Sequence, residues 1–462
     1  MRITPFVAGL QRLRPMPGRR SLPGCLIFVA AVIACFAWPT AAFANPAPQS
    51  SARNRQSSRL TSDLRGTAQT HDGQHLRLVT DLGNIVIHTQ DSGKVDYDVH
   101  LETDASQKDA KRLLSKFSMI SRVTPDGVVL RGSTSSRQLT GRLWVTITVN
   151  VPKNYSLDVS TGGGNINIDD VRGRVSLSTS GGNITAGNIR GAAHLETDGG
   201  HIAVKNVAGE LVAATGGGHI TAGDIAGNAA LHTSGGHIRV ASVGGSARLE
   251  TAGGNVTLEH SGGDLVAETL GGQIDVGEAS GIVQAKTGGG GIRVVHLSGP
   301  TNLKTDNGSI YLTQVDSSVK ASTDAGGITA WFATPVKLRS TCELQSGDGD
   351  IVVYLPRQLP VTIDAQIQLG DQHRVIVDPA FPLKVIYDDG SNGARVVRAE
   401  GALNGGGEIL RLRAVSGNIR LIASDLNKQM QLYKQQMDQL QHQLEFQLRE
   451  LEESQTTGNQ PQ

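Results

Sequence analysis

The chain has 462 residues, 57 of them glycine, with aromatic side chains at only 4% and a formal net charge of +1. So few rings exclude a conventional core built on aromatic volume, and the glycine excess points to many turns joined by thin strands. The near-neutral charge leaves no electrostatic footprint for nucleic acid.

Residues 1–44 read as a signal peptide. Arg12, Arg14, Arg19 and Arg20 form a basic region, an apolar run follows from Cys25 to Ala37, and Ala42-Phe43-Ala44 supplies an A-x-A cleavage site. Arg19-Arg20 fits a twin-arginine signal weakly. Val32-Ile33-Ala34-Cys35 loosely resembles a lipoprotein box, but apolar residues continue past Cys35 to the better site. Left uncleaved, the segment would anchor the chain to a membrane. Each reading places the protein outside the cytoplasm, in the periplasm or at the cell surface. Cys25 and Cys35 leave with the signal, so Cys342 stands alone and no internal disulfide can form. Its expected role is that of a small buried hydrophobe.

Residues 45–72, rich in Ser, Arg, Gln and Ala with no apolar period, read as a disordered spacer. Residues 73–155 read as an N-terminal β region in which "ASQKDAKRLLSKF" forms a short amphipathic helix between strands.

Residues 156–355 hold a regular repeat. Thr stands at 161, 179, 197, 215, 233, 251, 269, 287, 305 and 323, ten copies spaced by eighteen. Five residues after each comes Ile or Val, from Ile166 to Ile328; two residues before stands Leu, Val or Ala. Glycine pairs run from Gly163-Gly164 to Gly289-Gly290, and a further glycine recurs from 173 to 299. Within one unit Ile166, Ile168, Val171, Val175, Leu177 and Thr179 give the period of two expected of strands. The units are too short for crossover helices, which excludes a doubly wound sheet. A meander of hairpins would not demand a constant unit length. A β-solenoid would, because equivalent residues of successive coils lie about 4.8 Å apart. The glycine pairs are expected to supply positive φ at each corner, with Asn307-Gly308 as the nearest substitute and a changed corner at Ala325-Gly326. The same signature recurs at Leu76, Leu78, Thr80 and Ile85, at Ser346 and Ile351 after a five-residue insertion, and at Leu410, Leu412, Ala414 and Ile419. The solenoid therefore extends over about 75–424, its end at 356–424 being an irregular cap.

In 425–455, Leu426, Met430, Tyr433, Met437, Leu440, Leu444 and Leu451 fall on four- and three-residue steps. This predicts an amphipathic, coiled-coil-like helix, either a seam for self-association or a cap laid back on the solenoid end. Residues 456–462 read as a disordered tail. The expected fold class is all-β: a single-stranded β-helix or β-solenoid with 18-residue coils, plus a C-terminal amphipathic α-helix.

The Thr-x-Gly-Gly-Asn-Ile units, the "LWVTITVNVP" segment and the closing "GALNGGGEILRLRAVSGNIRLI" resemble the bacterial putative-adhesin domain family over about 75–424. The resemblance implies an exported envelope protein with a right-handed β-helix and no assigned biochemical function. It brings no catalytic residues. The very regular repeat run and the tail are not part of the family pattern.

His201, His219 and His237 occupy one position in three successive coils, filled elsewhere by Asn165, Asn183, Asn255 and Gln273. Three stacked imidazoles are the candidate metal ligands, for an ion such as zinc. A turn position that wants hydrogen bonding along the stack is the preferred reading, since no supporting carboxylates are evident. Asp348 and Asp350 form an isolated acidic turn, and Ile stands where a calcium-binding nonapeptide needs its third glycine. No carboxylate pair suggests a polysaccharide hydrolase, and no Gly-Lys-Ser/Thr loop suggests a nucleotide. Trp331-Phe332, where the register breaks, is an end-plug or a contact patch, with the plug preferred. No cofactor is implied. The expected function is non-enzymatic: an exported cell-envelope protein whose solenoid surface serves adhesion or protein assembly, with a protein or cell-surface polymer as partner. The alternatives are a carbohydrate-active β-helix enzyme and an oligomeric envelope scaffold or signalling accessory.

Overall fold

The computed structural model describes residues 59–135, 142–332, 338–369, 372–389 and 395–424. The expected signal peptide, the first half of the spacer, the helix at 425–455 and the tail lie outside them.

Each repeat unit makes two strands, one in each of two parallel sheets. In the first sheet Ala229–Thr233 pairs with Leu211–Thr215 before it and Ala247–Thr251 after it, every residue opposite its equivalent one unit away. In the second, Ile238–Val243 lies between Ile220–Ile225 and Val256–Ser261 in the same way. Thr215, Thr233 and Thr251 are therefore vertical neighbours, which is the registry of a solenoid and not of a hairpin meander. The period of two sends Ile238, Val240, Val243, Ala247 and Leu249 inward, each buried, and these branched side chains fill the space between the sheets. The largest fully buried rings, Tyr155 and Phe332, stand just before the first regular coil and in its last one. Cys342 is fully buried in the same core, and burial pushes its thiol pKa up.

The repeated threonine is buried too, and its hydroxyl explains why valine does not replace it. Thr233 Oγ1 donates to the Gly218 carbonyl of the preceding coil at 2.8 Å and accepts from the Gly236 N–H of its own corner at 3.2 Å. The pattern repeats at Thr179, Thr197, Thr215, Thr251, Thr269, Thr287 and Thr305. One hydroxyl thus satisfies a buried donor and a buried acceptor that the sheet ladders leave open.

The corner glycines have a different purpose from the one expected. Positive φ occurs at Gly164, Gly326 and Gly349 but not at the intervening corners. What the corners require is close approach. A Cβ on Gly236 would run into the carbonyl of Gly218, whereas one on Gly235 meets nothing nearer than 3.7 Å. Asn307 is admitted for the same reason: it stands at the roomy position, while Gly308 keeps the crowded one against Gly290.

Both ends depart from sequential winding. In the first sheet His75–Thr80 lies between Gly127–Thr134 and Ser156–Thr161; in the second, Asn84–Gln90 lies between Leu143–Pro152 and Ile166–Ile168. The first coil in the chain thus sits between the second and the third. At the other end Ile409–Ser416 slots between Cys342–Asp348 and Val361–Ile367, and Ile419–Ser424 between Ile351–Pro356 and Val375–Val377. Antiparallel strands then cover the edges: Phe117–Thr124 and Lys94–Thr103 at one end, Arg395–Leu403 and Lys384–Asp389 at the other. Such cover ends the run of parallel coils.

The helix Gln107–Leu114 forms where expected, capped by Ser106 and burying Ala110 and Leu113. The spacer expectation for 45–72 is corrected at Leu60–Gln69, which is a strand antiparallel to Lys94–Thr103. Its inward positions Leu60, Ser62, Leu64 and Gly66 are only half-buried, so it shows no apolar period. Polar bonds across the pair fix it instead, Arg65 to Asp98 at 2.8 Å and Thr67 to Asp96 at 2.8 Å. No helix among the described residues is long and apolar enough to cross a membrane.

Candidate functional site

The corner after most of the buried threonines turns one polar side chain outward, Gly291 and Gly327 being the interruptions, and these side chains form a second column. Asn183 N–H donates to Asn165 Oδ1 at 2.8 Å, and His201 N–H to Asn183 Oδ1 at 2.8 Å. The histidines continue it: His219 N–H donates to His201 Nδ1 at 2.9 Å, His237 N–H to His219 Nδ1 at 2.9 Å, and Asn255 N–H to His237 Nδ1 at 2.8 Å. The rings stack with centroids 4.8 and 4.9 Å apart and planes inclined by 15° and 13°. The structure therefore brings the three candidate metal ligands together, but in a specific electronic state. A backbone N–H can only donate, so each Nδ1 is the acceptor and the neutral ring carries its proton on Nε2. A metal ion would have to break these backbone bonds. Near-parallel rings also hold their nitrogens side by side, where tetrahedral zinc needs ligands converging on one point.

Asp350 belongs to this column as well: Asn418 N–H donates to its Oδ1 at 2.8 Å, and Arg420 lies 3.3 Å from its Oδ2. The acidic turn is a ladder rung rather than a loose loop. The signal was present in the sequence, since Asp350 precedes Ile351 as Asn165 precedes Ile166.

The ladder makes the fold sensitive to acid. The pKa of His219 is lowered, first by burial and then by the charges of His201 and His237. A histidine depressed in the folded state contributes stability above its ordinary value of about 6.5 and loses it as pH falls through the folded value. Protonation also turns Nδ1 from acceptor to donor. Wild type should therefore lose about 1 kcal/mol more between pH 7.5 and pH 5 than the triple variant His201→Asn, His219→Asn, His237→Asn, the screening of exposed charges keeping the effect small. Urea midpoints at the two pH values measure it, and equal losses would remove the role assigned to the rings.

Trp331 and Phe332 separate. Phe332 is the buried plug. Trp331 points outward and stacks on Tyr354 of the next coil, with centroids 4.7 Å apart and planes at 6°.

Two larger grooves open on the outer faces. One, of about 570 Å³ on the second sheet, is lined by Lys153, Asp169, Asp170, Thr185, Lys205 and Thr221. The other, of about 750 Å³ near the C-terminal cap, is lined by Asp364, Lys384, Arg398, Glu400 and Arg413. Each contains carboxylates, so each bears on the enzyme alternative. Asp170 is held below the usual carboxylate range by the backbone N–H of Asn188, and its other oxygen takes the Asn188 side-chain amide at 3.0 Å. Asp364 is lowered by its bond from Arg413, at 2.5 Å, with Arg411 alongside at 3.3 Å. Both are committed anions, whereas a general acid needs a carboxyl pushed up toward neutrality.

Residues 74–295 match the family model described as Toastrack DUF4097. The Toastrack match covers the N-terminal region and the repeats through the coil containing Ile292–Leu297. Among solved structures, similarity extends to a putative cell adhesion protein from Clostridium sporogenes ATCC 15579, at 9% identity over 79% of this chain and 100% of that one, with a TM-score of 0.15. It extends also to a putative adhesin from Bacteroides fragilis NCTC 9343, at 13% identity over 58% of this chain and 96% of that one, with a TM-score of 0.22. No curated protein matches the chain in sequence.

Proposed function

We propose that this chain is a non-enzymatic, exported cell-envelope protein whose solenoid presents a binding surface for a protein or a cell-surface polymer, in adhesion or assembly. The observation that carries the reading is the outer surface itself. Outward columns of small polar and charged side chains run over both sheets, and Asp170 and Asp364 in the larger grooves are tied down as structural anions. The basic and apolar stretches of residues 1–44 support export, and the apolar steps of 425–455 support self-association.

The test is fractionation of a bacterial host making the full chain with a C-terminal tag, together with incubation of the purified protein with a panel of envelope polysaccharides. Recovery in the envelope with every polymer left intact is expected. Retention in the cytoplasm would defeat the export reading, and appearance of new reducing ends would move the assignment to the enzyme alternative. Removing 425–462 should lower the solution mass of the assembly; an unchanged mass would end the self-association reading.

A further inference from the structure

The outer face of the first sheet carries a feature that the surface reading does not explain. Most cations on this face are paired along or between coils: Arg248 with Glu250, Lys320 with Glu343 at 3.4 Å, and Arg411 and Arg413 with Asp364. Lys286 and Lys304 are not. They lie directly opposite one another on adjacent parallel strands, in the register Lys286↔Lys304, both exposed and neither with an ion-pair partner among the described residues. Glu268 stands opposite Lys286 on its other side but makes no ion pair with it, and Ser322 stands opposite Lys304; like charges in lateral register oppose folding, so the Lys286–Lys304 contact itself is not a stabilising one.

The two ammonium groups border a groove of about 320 Å³ that Lys320 also lines, with Gln284, Asn302 and Ser322 between them and Glu268 at one end. Gln284, Asn302 and Lys320 line an adjoining depression of about 200 Å³ as well, where Ile282 and Pro300 add apolar surface. The two depressions are thus continuous, and the trough crosses several coils at about 4.8 Å per coil.

We propose that this trough binds an acidic polysaccharide, with carboxylates of the chain between Lys286, Lys304 and Lys320 and its hydroxyls on Gln284, Asn302 and Ser322. The inference rests on the surface-binding reading and names the ligand class for it. Three features select that class. Three ammonium groups against one lining carboxylate, beside neutral amides and a hydroxyl, suit a polymer rich in hydroxyls with charge at intervals. No aromatic ring lines the trough, and single-stranded nucleic acid would want rings on which to stack its bases. The floor is a sheet face whose backbone groups are spent in parallel ladders, so an acidic peptide cannot be held by strand addition.

The experiment is calorimetric titration of the purified full chain with oligogalacturonate, with a neutral glucan of equal length and a single-stranded oligonucleotide as comparisons. Oligogalacturonate should bind, more weakly as salt is raised. The double variant Lys286→Glu, Lys304→Glu should weaken it by at least about tenfold. The variant Arg239→Glu, Arg293→Glu, which makes the same charge change on the second sheet, should leave it unchanged. All four positions are exposed on strands, and circular dichroism verifies that each variant is folded. Absence of binding, equal binding of the neutral glucan, equal binding of the oligonucleotide, or indifference to the lysine substitutions would each overturn the assignment. Envelope recovery is read separately, so a failure here with correct export condemns the ligand class and leaves the broader reading standing.

Discussion

Gly236→Ala is expected to destabilise the solenoid by more than about 4 kcal/mol, while Gly235→Ala changes stability by less than about 1 kcal/mol. The two glycines are neighbours in sequence and both belong to a repeated pair. Their surroundings differ in kind. A Cβ on Gly236 overlaps the Gly218 carbonyl and the backbone of His219. Both are backbone atoms of the coil below, held by ladder bonds, so relief requires prising two coils apart. At Gly235 the nearest atom is the Gly217 carbonyl at 3.7 Å, an ordinary contact, and φ lies outside the left-handed region. Alanine there even restricts the unfolded chain. Urea denaturation of the full chain, followed by circular dichroism, measures both. Similar losses at the two positions would show that backbone conformation, and not coil-to-coil approach, is what demands glycine.

That contrast marks where sequence reasoning reached and where it stopped. The spacing of the threonines was enough to establish vertical registry, because only stacking ties unit length so strictly to residue type; the pairings of Thr215, Thr233 and Thr251 follow from it. It was enough for the coil at Leu410–Ile419 too, but not for that coil's place between two earlier ones. A local pattern reports which side chains face inward and is silent on which neighbour they meet, since any coil edge of this kind accepts any other. Gly236 was legible as a glycine position and misread in its cause, because a positive φ and a carbonyl overhead leave the same letter in the sequence. Leu60–Gln69 escaped notice since its apolar contacts are few, Leu64 and Ala68, and the ladder with Lys94–Thr103, helped by polar bonds to Asp96 and Asp98, holds it. For the histidines, identical spacing predicted the column, while the direction of each Nδ1 toward a backbone N–H, which makes each ring a rung, needed coordinates. The lysine trough was invisible for a related reason. Lys286 and Lys304 are one repeat apart like many other pairs, and only the lack of an ion pair at either, although Glu268 lies opposite Lys286, distinguishes them.

The threonine column yields the second large effect. Thr233→Val preserves the shape of the side chain and its inward position, and it should still cost about 2–4 kcal/mol, because it strands the Gly236 N–H and the Gly218 carbonyl in a buried corner at about 1–3 kcal/mol for each unmet group. The hydrophobic gain from the added methyl in this fully buried site, about 1 kcal/mol, offsets only part of this. Thr233→Ser should cost only about 1 kcal/mol, the loss of one buried methyl. The chain itself contains the precedent. Ser346 occupies the same column and donates to the Gly326 carbonyl at 2.9 Å. The ordering Ser above Val is the diagnostic result, because a purely apolar core would reverse it. Unfolding midpoints of the two variants decide the matter, and a Val variant as stable as wild type would mean that the coils are held in registry by their strand ladders alone.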